Sequence, residues 1–80
     1  MLSDIERKTL RIIGNYSAGR RRFPTVDELC IKTGRSRGGV KEVLQVLAKE
    51  KYIVWSNEKP DEMELLEAWE RQGLWKNNNL

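Results

Sequence analysis

The feature that most constrains this chain is the run PTVDELCIKTGRS, residues 24–36. Pro24 disfavours helix in the residue before it. Thr25 and Glu28 then stand three apart as a capping box, in which each side chain satisfies the other residue's backbone N–H. Val26, Leu29 and Cys30 give a short apolar face, and Gly34 suits the left-handed position that ends many helices. Ser36 is immediately ready to cap another helix. A chain punctuated in this way makes a helix of about two turns, a tight turn and a further helix. In that further helix Val40, Val43, Leu44 and Leu47 fall at i, i+3, i+4 and i+7 and predict the buried stripe. Gly38, Lys41, Glu42, Gln45 and Lys49 fall on the opposite face.

The flanks are read by the same signals. Ser3 with Glu6 forms another capping box, and Ile5, Thr9, Ile12, Ile13 and Tyr16 recur at helical spacing, which predicts a first helix ending near Tyr16. SAGRRRF then reads as a loop with arginines at 20, 21 and 22. Beyond the third helix, YIVW at 52–55 is β-branched and aromatic and predicts a short strand, and SNEKPDE reads as a turn. The segment DEMELLEAWERQG has two readings. It makes a helix over most of 61–72, begun by Pro60 and stopped at Gly73, or its start at 63–66 is the returning strand of a hairpin. The helix is the preferred expectation. Residues 77–80 read as a flexible tail.

The expected fold class is therefore mainly α with a short β-hairpin. The expected organisation is one domain over 1–76, with a basic body at 1–59 and an acidic C-terminal helix at 60–76. Residues 1–59 hold thirteen Lys/Arg against seven Asp/Glu, whereas residues 60–80 hold two against five. A basic body suits a polyanionic partner, although segregated charge is also common on an ordinary solvated surface.

Composition narrows the function classes. There is no histidine and a single cysteine, Cys30, so neither a zinc site nor a His-based catalytic system is expected. No pair of titratable groups stands in a catalytic spacing, and neither an enzyme nor a cofactor is expected. No stretch is apolar enough to span a bilayer and no signal-peptide pattern precedes the first helix, so no membrane partner and a cytosolic location are expected. Cys30 reads as a small core residue where two helices approach closely.

Residues 24–54, PTVDELCIKTGRSRGGVKEVLQVLAKEKYIV, resemble the winged helix-turn-helix of LexA-type and MarR-like bacterial regulators. The matching features are the Pro-Thr entry, Glu28, Leu29, Gly34, Ser36, Leu44, Leu47 and a closing strand at Ile53. With the first helix included, the likeness covers roughly three-quarters of the chain. It implies a winged helix-turn-helix three-helix core and a sequence-specific regulator of double-stranded DNA, in a bacterium, phage or mobile element, whose helix at 36–49 enters the major groove. On these positions the DNA contacts would fall on Arg35, Ser36, Arg37, Gly38, Lys41 and Gln45. Arg37 would pair with guanine and Gln45 with adenine, while Lys41 would touch base or phosphate. Thr25, with the free N–H groups of its helix end, matches a phosphate-contacting position. Arg22 and its neighbours track phosphate or are simply solvated. The hairpin tip departs from the family pattern, offering only Asn57 and Lys59 beside Glu58.

Two questions stay open at the level of sequence. Gly38 and Gly39 either let the helix start approach the DNA wall closely or mark a long turn with the helix beginning at Val40. Met63, Leu66, Trp69 and Trp75 either fold back as core or form a homodimer interface, as regulators of this kind commonly pair on two half-sites. The acidic, tryptophan-containing end is also a candidate surface for a protein partner, which would make the chain an interaction module in replication or packaging, or an antagonist of another regulator.

Overall fold

The computed structural model describes residues 2–69. Among them are α1 (Asp4–Arg20), α2 (Val26–Thr33), α3 (Arg37–Lys49), β1 (Ile53–Trp55) and β2 (Met63–Leu65), in that order. The fold is mainly helical and closes with an antiparallel two-stranded hairpin.

All three helices start where a side-chain oxygen meets free backbone N–H groups. Ser3 and Thr25 make complete capping boxes with Glu6 and Glu28, and Ser36 Oγ accepts from the Gly39 N–H at 3.1 Å. Such caps contribute about 1 kcal/mol each. At the end of α2, Gly34 sits at φ 73° and its N–H reaches the Cys30 carbonyl at 2.8 Å. Only a residue free of a Cβ adopts that conformation without strain. Three residues then suffice to turn the chain into α3.

The first helix is one turn longer than its apolar spacing predicts. It runs through Ser17, Ala18 and Gly19 to Arg20 and ends at Arg21, which takes the left-handed conformation at φ 61° and donates to the Ser17 carbonyl at 2.9 Å. The extension is held by side chains that no apolar pattern reports: Ser17 Oγ donates to the Gly14 carbonyl, and Arg20 lies over the Tyr16 ring, 4.4 Å from its centroid. The expected loop is thus confined to residues 21–25.

Leu10 and Ile13 of α1, Val26 and Leu29 of α2, Val40, Leu44 and Leu47 of α3, and Ile53 of β1 meet in one core, none more than 2 % exposed. Each such side chain contributes about 1.5–3 kcal/mol by leaving water. Cys30 lies half-buried against this core.

The preferred helix at 61–72 is corrected over the residues described. Met63–Leu65 is a strand, pairing Ile53 with Leu65, Val54 with Glu64 and Trp55 with Met63. Residues 66–69 are not helical, and 70–76 lie outside the described residues. Met63 and Leu65 alternate with exposed Glu64 at a period of two, so a strand buries both apolar side chains against the core while a helix would splay them. The Tyr52 carbonyl accepts from the Leu66 and Glu67 N–H groups, which carries the pairing past the strand. Trp55 Nε1 donates to the Pro60 carbonyl at 2.8 Å and pins the turn between the strands. Further on, Ala68 rests against Gly14, where a Cβ would come within 3.4 Å of it.

Candidate functional site

The α3 stripe turns Val40, Val43, Leu44 and Leu47 inward, with Ala48 packed beside it, and the opposite face of the helix points out. Gly38 and Gln45 are exposed and Lys41 is half-exposed on that outer face, with Arg35 and Ser36 exposed at its entry. Five of the expected DNA-contacting residues therefore share one strip, running from the α2–α3 turn along about two turns of helix. Because α3 begins at Arg37, Gly38 and Gly39 lie in its first turn, and a helix start at Val40 is excluded.

The two glycines differ in their surroundings. A Cβ on Gly39 would touch Ser36 Oγ at 3.4 Å and Arg35 Cβ at 3.8 Å, both ordinary contacts. A Cβ on Gly38 would meet nothing within 4 Å among the described residues. Glycine in a helix is less stable than alanine by roughly 0.5–1 kcal/mol, and at Gly38 no contact inside the described chain offsets that loss.

Two of the expected arginines are engaged elsewhere in the fold. Arg37 Nη1 is ion-paired with Asp27 Oδ1, across from α3 to the first turn of α2. Arg22 forks onto Glu28, with Nη1 to Oε1 at 3.1 Å and Nη2 to Oε2 at 3.0 Å. It is thereby held on the α1–α2 side of the molecule. The same Glu28 carboxylate accepts the Tyr16 hydroxyl and the Thr25 backbone N–H. The Arg22 guanidinium, the Tyr16 hydroxyl and that N–H, in this order, hold the Glu28 carboxyl well below the usual carboxylate range. Burial of the ring and the bond to Glu28 push the Tyr16 phenol up.

Thr25 is at the α2 N-terminus as expected, but several of the N–H groups there are already in use. Its Oγ1 accepts from the Glu28 N–H at 3.2 Å, and the Val26 N–H donates to Asp61 Oδ1 at 2.9 Å. The hydroxyl proton of Thr25 stays available to an anion, since a hydroxyl that accepts can also donate. Asp61 is the residue whose role sequence reasoning missed most completely. It reads as an acid opening a helix after Pro60, and it does serve a helix N-terminus, but that of α2, thirty-five residues earlier.

The four residues expected at a partner surface are divided. Met63 packs half-buried against the core. Leu66 and Trp69 are 49 % and 74 % exposed, and Trp75 lies outside the described residues. No helix among the described residues is long and apolar enough to cross a membrane. The chain matches no protein-family model and no curated protein.

Proposed function

We propose that this chain is a sequence-specific double-stranded DNA-binding regulator that lays α3 in the major groove, acting as a small bacterial, phage or mobile-element repressor at the nucleoid and not as an enzyme. The observation that carries this reading is Gly38: an exposed, side-chain-free position in the first helical turn, with no steric reason among the described residues to be glycine, on a strip with Arg35 and Lys41. A surface left bare between cations is what close approach to a sugar-phosphate wall or a thymine methyl requires. The order of elements, a capped short helix, a three-residue turn, an amphipathic helix and a hairpin, agrees with the winged helix-turn-helix likeness of the sequence. Gln45, one turn beyond Lys41, is placed to read adenine from the same face. A homodimer would present two such helices to half-sites about 34 Å apart.

The test is fluorescence anisotropy of a labelled mixed-sequence duplex at several salt concentrations, followed by selection of the preferred site. Binding that weakens linearly in log salt is expected, with the slope falling by about 0.9 on Lys41→Ala if that residue neutralises a phosphate. Absence of binding at low salt would overturn the proposal. A second reading rests on the exposed Leu66 and Trp69 beside acidic Glu64 and Glu67, which suit a basic-apolar protein partner. Under it, charge reversal at Arg35 and Lys41 leaves partner binding intact.

A further inference from the structure

We propose that the groove between α1 and α2 is a binding site for a phosphate group, held between Arg20 and Lys32. The groove is open to solvent, has a volume of about 390 Å³ and is lined by Ile12, Asn15, Tyr16, Arg20 and Lys32. Two lining cations, Arg20 and Lys32, lie 4.4 and 5.7 Å from the centroid of the Tyr16 ring, and Arg22, outside the lining, lies 5.1 Å from it. One carboxylate, Glu28, stands among them, and both its oxygens are taken by the fork of Arg22. Arg20 and Lys32 have no carboxylate partner among the described residues. An exposed cation gains little from a tyrosine face, and the mutual repulsion of like charges opposes that gain.

The missing component is an anion. Tyr16 is 4 % exposed, so its ring positions the cations and is not itself a stacking surface. A guanidinium fork and an ammonium, set around one opening, match the several oxygens and full charge of a phosphate better than a single carboxylate. The exposed Asn15 amide adds a neutral donor, and half-buried Ile12 lines the apolar side of the groove. The site stands apart from the α3 strip and does not rest on the DNA-binding proposal. The phosphate is either free, as inorganic phosphate or a small phosphomonoester, or part of a nucleic-acid backbone.

The test is a titration of isotopically labelled protein with inorganic phosphate, against chloride at matched ionic strength, followed by NMR at the backbone and at the Arg20 guanidinium. Saturable shifts at Asn15, Arg20 and Lys32, larger than those at Lys8 and Arg11, and lost in the Arg20→Gln/Lys32→Gln variant, are expected. Lys32→Gln alone, which leaves the end of α1 untouched, weakens phosphate binding several-fold. A duplex arm distinguishes the sources. If the double variant lowers the salt slope of DNA binding by about 0.9 or more, the backbone is the ligand; if it loses the phosphate response with the duplex slope unchanged, the ligand is free phosphate. Either leaves the site standing, and failure of all duplex binding would count against the proposed function alone. Equal drift of every surface cation, or identical phosphate response in the variants, would overturn the site.

Discussion

Replacing Gly38 by alanine separates stability from function more cleanly than any other single change here. Gly38 is in the first turn of α3, and a Cβ there meets nothing within 4 Å among the described residues. The variant therefore gains helix propensity without a steric penalty, about 0.5–1 kcal/mol. For a domain of this size that corresponds to a rise in Tm of roughly 2–8 °C. If α3 approaches DNA at this point, the added methyl must push against sugar or base, at a cost of about 1–3 kcal/mol by analogy with overpacking a close contact. Duplex affinity would then fall roughly 5- to 150-fold. Thermal melting followed by circular dichroism and anisotropy titration on one preparation read both quantities. A more stable protein with unchanged duplex affinity would refute the close-approach reasoning. A less stable one would refute the assignment of the glycine to an open helical position.

Asp27→Asn should release Arg37 from its ion pair. Because both partners are at least half-exposed and Asp27 also faces the positive end of α2, stability falls by no more than about 1 kcal/mol, while duplex binding tightens and its salt slope steepens by about 0.9 as Arg37 reaches a phosphate. Unchanged binding would show that Arg37 takes no part. Glu28 predicts a pH response: its carboxyl is held low in the folded state, so its contribution is complete above the ordinary value of 4.5 and is lost progressively as pH falls below it. Urea midpoints measured down the acid range should therefore drop more steeply for the native chain than for Glu28→Gln. Asp61→Ala removes the acceptor of the Val26 N–H and should cost about 0.5–2 kcal/mol, with faster hydrogen exchange at that amide; unaltered exchange would mean that the hairpin does not cap α2.

What sequence revealed and what it hid divide along one physical line. Interactions closing within one helical turn were legible: the boxes Ser3–Glu6 and Thr25–Glu28, the Ser36 cap, Gly34 at its left-handed position and the α3 stripe are all found as read. The outward strip from Arg35 to Gln45 follows from that stripe by subtraction. Interactions between elements were not legible. The pairing of Arg37 with Asp27, and of Val26 with Asp61, depends on how helices and hairpin are packed, and neither leaves a local spacing. The competition at Met63–Leu65 was decided in the same way. The helix-forming residues there favour one answer, and the ladder to Ile53 and Trp55, which exists only once the core has formed, favours the other. The Tyr16 cluster lies between these cases: Arg20 stands one turn beyond Tyr16 on the same helix, but bringing Lys32 to that ring needs α1 laid against α2.

The proposed DNA-binding face, α3 and its entry, is tested by an NMR titration of isotopically labelled protein with a mixed-sequence duplex at low and then near-physiological salt. Salt-sensitive amide shifts concentrated at Thr25 and from Arg35 to Gln45 are the expected result. The absence of shifts at low salt, or shifts scattered evenly over the surface, would contradict it.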